Sequence, residues 1–300
     1  MSGEVGCIAK TELKKILPDL LIAGLVIFVL VFVSRLQSPI PIYPFEKVNW
    51  DWILSLEGQD KIDANVRVAI LPHDANSHKE LTVFYRGLAT ANPEVKNIVV
   101  IAPNHFEKGT ENVQTASRGF QTADGVLKPK GNLLKGLELN EAGKIENATF
   151  EKEHGITMEV GYIKRFFPKA DFLPIVLKAE TTPREVDALV LWMTSNLAAE
   201  KTLVLGSIDF SHYLTKAQAD RNDAKTLAQI KLMNLNKLPT SDAKCEFLDS
   251  PMTLRAVIQY ARAVGGEKLS VVRHDNTADI LNKPNLASTT SHFYMTFGGE

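Results

Sequence analysis

Apolar residues fall along this chain in three patterns. The first is a single run, ILPDLLIAGLVIFVLVFV over residues 16–33, which at about 1.5 Å per helical residue is just long enough to cross a hydrocarbon core of about 30 Å. The second is a set of short β-branched runs at 66–71, 97–102, 172–177 and 202–208, each of strand length, the first two closed by Pro72 and Pro103. The third is a series of longer stretches with helical spacing at 79–91, 156–167, 183–199, 216–233 and 252–263, where Pro183 suits a first helical turn. Segments 270–273 and 292–297 read as closing strands. Residues 110–150 are rich in Gly, Asn and Lys and carry little core pattern, which predicts a hairpin-and-loop excursion. Strands alternating with helices predict an α/β domain whose mostly parallel or mixed central sheet is covered on both faces.

The apolar run divides the chain into a short tail (1–15), a transmembrane anchor (16–34), a linker (35–60) and the α/β domain (61–300). Lys10, Lys14 and Lys15 precede the run and only Arg35 follows closely. That bias predicts a single-pass protein with a cytoplasmic N-terminus, an extracytoplasmic domain, and membrane lipid as a partner of the N-terminal helix. A cleaved secretory signal shares this basic-then-apolar plan. The length of the run and the poor cleavage site at Val33-Ser34-Arg35 favour the anchor. The SPIPIYP stretch after it reads as a stiff, extended spacer, because each proline fixes its own φ and restricts its predecessor.

Charge narrows the partners. Lys and Arg together number 34 against 35 Asp and Glu, a formal balance of -1 with no basic block, so nothing marks a nucleic-acid surface and none is expected as a partner. The two cysteines, Cys7 and Cys245, lie on opposite sides of the apolar run and form no disulfide framework. A lone thiol at Cys245 in an extracytoplasmic domain calls for metal ligation or reactivity, with plain burial as the alternative.

Candidate chemistry gathers where strands are predicted to end. His73 and His105 each follow a β-branched run closed by proline, in Leu71-Pro72-His73 and Pro103-Asn104-His105. In open α/β sheets ligands sit at the carboxyl ends of strands, so the two imidazoles are expected to face one crevice and could bind a transition metal there. Asp209 and His212 follow the run 202–208, where a carboxylate beside an imidazole prepares a base or orients a ligand. His154, next to Glu153, opens the helix at 156–167 and could support such a site or merely cap the helix. His274 with Asp275 reads as an ordinary polar turn, and His78 and His292 carry no spacing signal.

In this order the motifs resemble those of the Memo family, known in prokaryotes as AmmeMemoRadiSam system protein B, from about residue 66 to the C-terminus. The matching pieces are Leu71-Pro72-His73, Ala102-Pro103-Asn104-His105, Glu153-His154-Gly155-Ile156, Asp209-Phe210-Ser211-His212-Tyr213, and Cys245 ahead of Ser250-Pro251. The resemblance implies a three-layer α/β/α fold similar to class III extradiol dioxygenases, which are non-haem iron enzymes. It also implies metal ligation by His73, His105 and Cys245, with His212 at the position used for acid/base work. A thiolate in that set suits copper or zinc as well as iron. Asp74-Ala75-Asn76 after His73, and Thr157 and Glu159 in the following helix, depart from the family pattern and leave the substrate pocket undefined.

Two functions follow as expectations. One is a metal-dependent redox protein, dioxygenase-like, with iron or copper first and zinc possible, and with His212, Asp209 and His154 supporting proton transfer. The other is a non-catalytic module whose crevice takes a small molecule or peptide beside a structural or vestigial metal. Zinc-dependent hydrolysis ranks last, since the chain has no HExxH spacing.

Overall fold

The computed structural model describes residues 21–29, 38–41, 49–237 and 245–299. The chain divides into two units, Met1–Pro39 and Ile40–Glu300. In the first, residues 21–29 are helical and expose large apolar side chains; the rest of the anchor expected over 16–34 lies outside the described residues. No helix among the described residues is long and apolar enough to cross a membrane.

In chain order the second unit contains α1 (Trp50–Ser55), β1 (Val66–Leu71), α2 (His78–Ala91), β2 (Asn97–Pro103), β3 (Val113–Thr115), β4 (Phe120–Thr122), β5 (Gly125–Leu127), α3 (Gly131–Leu139), β6 (Lys144–Ile145), α4 (His154–Phe166), β7 (Asp171–Leu177), α5 (Pro183–Asn196), β8 (Thr202–Ser207), β9 (Phe210–Leu214), α6 (Lys216–Lys231), α7 (Pro251–Ala263), β10 (Lys268–Asn276), α8 (Thr277–Ile280) and β11 (Thr289–Gly298). The main sheet runs β10-β11-β1-β8-β2-β7-β3-β6, with β9 joined to β11. β1, β8, β2 and β7 are mutually parallel. β11 and β3 flank them antiparallel, and β10 pairs antiparallel with β11, so the sheet is mixed.

Side chains that alternate along the central strands fill two cores. Val68, Ile70, Val99, Ile101 and Val204 pack with Leu133 of α3, Leu189 of α5 and Val257 of α7. Their neighbours Ala69, Leu71, Ile98, Val100 and Leu205 pack on the other face with Ile53 of α1, Phe84 of α2 and Val160 of α4. Period-two alternation with both phases apolar is what a strand covered on both faces requires, and it yields the helix–sheet–helix layering. Pro183 lies in the first turn of α5, behind a capping box in which Thr182 and Glu185 bond each other's backbone N–H.

Two stretches contribute more to the core than their sequence patterns indicate. Within 110–150 the β4–β5 hairpin is present, but so is α3, whose Leu133, Leu134 and Leu137 are buried. Within 35–60, Ile40 is fully buried and its backbone bonds Gly119 and Gln121, while Trp50, Ile53 and Leu54 of α1 are buried in the second core. These residues behave as part of the domain because their apolar side chains fill one end of it.

Candidate metal centre

β1, β8 and β2 are neighbours in the sheet, and their carboxyl ends deliver His73, Ser207 with Asp209, and His105 to one place. β1 ends one residue before Pro72, and β2 runs through Pro103, after which Asn104 N still bonds Leu177 O at 2.8 Å, so His73 and His105 follow directly on the strand ends. His73 is buried, and its Nδ1 lies 3.0 Å from Ser207 Oγ. Its Nε2 lies 2.9 Å from Asp249 Oδ2 and 3.7 Å from Asp209 Oδ2. His105 Nδ1 lies 2.6 Å from Glu153 Oε1, while Glu153 Oε2 accepts the His105 backbone N–H at 2.9 Å. That leaves His105 Nε2 facing Asp249 Oδ2 at 3.7 Å. Both imidazoles therefore turn the same nitrogen toward one carboxylate.

Glu153 reaches His105 because α4 begins hard against β2. Glu153 caps α4 by accepting from Gly155 N, and a Cβ on Gly155 would stand 2.9 Å from the Cβ of Ala102. Only the lack of a side chain allows that approach. His154, the first residue of α4, stacks on the His105 ring at 3.8 Å and meets His73 edge-on at 5.3 Å. Among the described residues, His73, His105 and His154, and separately His73, Asp209 and Asp249, offer donor atoms lying within 4.8 Å of one another.

Sequence reasoning did not find Asp249. It directly precedes Ser250, the N-cap of α7, and is pinned from two sides: its N–H donates to Asp209 O at 3.1 Å, and its Oδ2 accepts from Asp209 N at 3.2 Å. Cys245 lines the same cleft, with a left-handed backbone (φ 51°) and a carbonyl that accepts from His212 N at 3.0 Å. It belongs to none of the donor groups that close within 4.8 Å among the described residues. Asp209 Oδ1 accepts from the backbone N–H of His73 at 2.9 Å and of Asp74 at 3.3 Å, so this carboxylate holds the loop that carries the first imidazole. His212, on β9, lines the cleft, and its Nδ1 is buried without a hydrogen-bond partner among the described residues. The cleft encloses about 590 Å³, and Phe106 and Tyr213 stand exposed on its lining.

The electrostatics suit a cation. Burial pushes the His105 imidazole down, but hydrogen bonds to Asp249 and Glu153 outweigh it and raise the pKa to about 10. His73 is raised as well, burial being overcome by the charges of Asp209 and Asp249. His154 goes the other way, to about 2, through burial and then the charges of His73 and His105. The Asp249 carboxyl, though burial pushes it up, is held well below the usual carboxylate range by His73 and His105. Two imidazole protons and one divalent cation would play the same electrostatic part here, which is why metal uptake at such sites releases protons. Beside His212 Nδ1, a second cleft atom lacks a partner: Asp249 Oδ1 is buried and meets no donor among the described residues. A buried carboxylate oxygen without a donor is costly, and a cation would satisfy it.

A second buried ion cluster lies beside the first. His292, with no spacing signal in the sequence, is fully buried on β11, where Nδ1 lies 2.8 Å from Asp275 and Nε2 lies 3.1 Å from Asp74. Those two hydrogen bonds overcome burial and raise it to about 10. His274 is part of β10 and not of a turn, and its Nε2 bonds the buried Asp223 at 2.9 Å. His78 opens α2 and bonds Tyr162 Oη at 2.8 Å.

Open α/β sheets bind ligands at the carboxyl ends of their parallel strands, and His73 and His105 stand at such ends beside Asp249. The chain belongs to the Memo family: the family profile, described as Memo-like protein, matches residues 50–289. Among curated relatives, a MEMO1 family protein of Caldivirga maquilingensis is 24% identical over 188 residues, covering 61% of this chain and 66% of the relative. One from Nitrosopumilus maritimus is 22% identical over 51% of this chain and 55% of its own length. One from Methanosarcina mazei is 25% identical over 242 residues, 75% of this chain and 84% of the relative. The chain thus spans less than two thirds of the first two relatives' length.

Proposed function

We propose that this protein is a metal-binding member of the Memo family in which His73, His105 and Asp249 together hold one transition-metal ion, iron(II) ahead of copper or zinc, at a redox-active centre. The observation that carries the reading is the buried Oδ1 of Asp249, without a partner among the described residues, on a carboxylate toward which two imidazole nitrogens already turn. Two histidines and one carboxylate match the donor set of non-haem iron oxygenases, whose metal supplies one-electron chemistry with positions left for substrate and oxygen.

The chain's own residues serve that centre in distinct ways. Glu153 holds His105 through Nδ1, which keeps Nε2 free for an ion and makes the ring more basic. Asp209 fixes the backbone at His73 and Asp74 and adds negative charge behind the site. His212 carries a buried Nδ1 on the cleft lining that has no partner among the described residues and is the candidate for holding or passing a proton to a bound molecule. His154, neutral and stacked on His105, shields that ring from solvent.

A second reading draws on Phe106 and Tyr213, exposed aromatic side chains on the cleft lining. Such groups favour recognition of a peptide or small molecule, and the metal would then be structural. The apolar run 16–34 supports a membrane anchor with an extracytoplasmic domain; carbonate extraction of membranes and protease accessibility in sealed vesicles would test both parts.

Elemental analysis of the full chain, purified in detergent without chelator or affinity metal, tests the centre. Near-stoichiometric iron or copper should be lost in Asp249→Ala and His105→Ala and kept in Cys245→Ala. Loss in Cys245→Ala with retention in Asp249→Ala would make the thiolate the third ligand. No metal in any sample, after reconstitution with iron(II) under reducing conditions, would sink the metalloprotein reading.

A further inference from the structure

The two imidazoles are supported differently. His105 leans directly on a carboxylate, at 2.6 Å from Glu153. His73 leans on a hydroxyl, and beyond that hydroxyl lies a second buried carboxylate: Ser207 Oγ donates to Glu159 Oε1 at 3.4 Å, and Tyr85 Oη donates to Glu159 Oε2 at 2.7 Å. Glu159 is fully buried on α4, and Tyr85 is stacked on Tyr162 at 5.0 Å. Nothing in the cleft touches it directly, for it is absent from the cleft lining.

We propose that Glu159 is a positioning residue of the metal centre, fixing through Ser207 the ring and tautomer of His73 so that Nε2 offers its lone pair to the ion. The inference rests on the reading of His73 as a ligand. The direction of the hydrogen bonds carries it. With Glu159 Oε1 as acceptor, in the carboxylate or in the acid whose proton lies on Oε2 toward Tyr85 Oη, Ser207 points its proton away from His73, its oxygen is free to accept, and the His73 proton sits on Nδ1. Without that acceptor the Ser207 hydroxyl turns its proton to Nδ1. The neutral ring then carries its hydrogen on Nε2, the nitrogen that faces Asp249 at 2.9 Å, and its lone pair is lost to a metal. A neutral carboxamide keeps the arrangement, since its oxygen can accept from Ser207 while its N–H₂ faces Tyr85 Oη.

The test uses the full chain in detergent, labelled with [15N]histidine and titrated with zinc(II) against a competing chelator, as wild type, Glu159→Leu, Glu159→Gln and Ser207→Ala. Removing partners of metal-bound histidines costs about 10–100-fold in affinity. Glu159→Leu and Ser207→Ala should lose zinc affinity on that scale and move the His73 Nδ1 resonance. Glu159→Gln should stay near wild type, and the His105 resonance, tied to Glu153, should not move in any of them. Unchanged affinity together with an unmoved His73 resonance in Glu159→Leu would overturn the inference and leave the metal centre standing. If Glu159→Leu fails to fold, Ser207→Ala decides, and full affinity there overturns it equally. If the wild type takes up no zinc, the metal-centre reading fails and the inference falls with it, an outcome distinct from zinc uptake that is unchanged in Glu159→Leu.

Discussion

Replacing Glu159 by Gln removes one titrating group from a dry interior and leaves its shape almost unchanged. Burial raises the Glu159 carboxyl first; the hydrogen bond from Tyr85 and the charge of His73 pull it back, Asp209 pushes it further, and it comes to about 8 from an ordinary 4.5. The folded chain therefore keeps a proton that the unfolded chain has released between about pH 4.5 and 8. Because the native state binds more protons in that window, its stability falls as pH rises through it and levels off above the folded pKa. A difference of about 3.5 pH units, at about 1.4 kcal/mol each, sets a ceiling of about 5 kcal/mol. The carboxamide that replaces it does not titrate, so wild type and Glu159→Gln should be close in stability at pH 5 and diverge in favour of the variant toward pH 8.5. At about 2–4 °C per kcal/mol for a domain of this size, the ceiling corresponds to a Tm gap of about 10 °C or more. Thermal unfolding followed by circular dichroism, with chelator present so that no metal occupies the centre, at pH 5, 7 and 8.5 measures it. His73 and His105 titrate in both proteins and largely cancel in the difference. A Tm gap that stays flat across the three pH values would refute the argument that Glu159 is desolvated and raised.

Three further outcomes follow from other parts of the fold. His292→Leu leaves Asp74 and Asp275 facing each other without their shared imidazole; removing one partner of a buried ion cluster costs about 3–5 kcal/mol, so urea unfolding should show a loss of at least the lower value. Gly155→Ala forces a Cβ to within 2.9 Å of the Ala102 side chain and should cost about 1–3 kcal/mol as an overpacking change, displacing Glu153 from His105 and weakening metal uptake alongside Tm. Adding iron(II) or zinc(II) at about 100 times its Kd should stabilise the native chain by about 2.7 kcal/mol; chelator should reverse the shift, and Asp249→Ala should show none.

The sheet is legible in the sequence because its central strands are covered on both faces. Val66–Leu71, Asn97–Pro103 and Asp171–Leu177 are apolar at nearly every buried position, as strands covered on both faces must be. Where a strand lies at the edge the pattern thins: β10 alternates partly exposed polar and apolar positions, and only its middle, 270–273, stands out. α3 is hidden for a different reason. Its nine residues include Gly131 and Gly136, poor helix formers, and its stability comes from three leucines that have a partner only once α5 is packed beside them.

The site divides along the same physical line. Histidines that follow proline-closed strands are placed by local chemistry, so His73 and His105 can be brought together before any tertiary contact is known. Asp249 cannot. It lies just ahead of α7, and its position depends on a bridge between Leu248 and Phe210 and on reciprocal bonds with Asp209, which is 40 residues earlier. Asp249 comes four positions after Cys245, and nothing in the intervening Glu-Phe-Leu says which of the two faces the imidazoles. The thiol is the softer donor and also lines the cleft, while the pairing of that segment with β9 sets Asp249 against both imidazoles. Strand ends announce where a site will form; the residue that completes it comes from a segment whose path is fixed only by the folded whole. On the proposed reading, with Asp249 as third ligand, exchanging it for Cys should shift loading from iron toward zinc or copper, as competitive loading with the three metals followed by elemental analysis would measure.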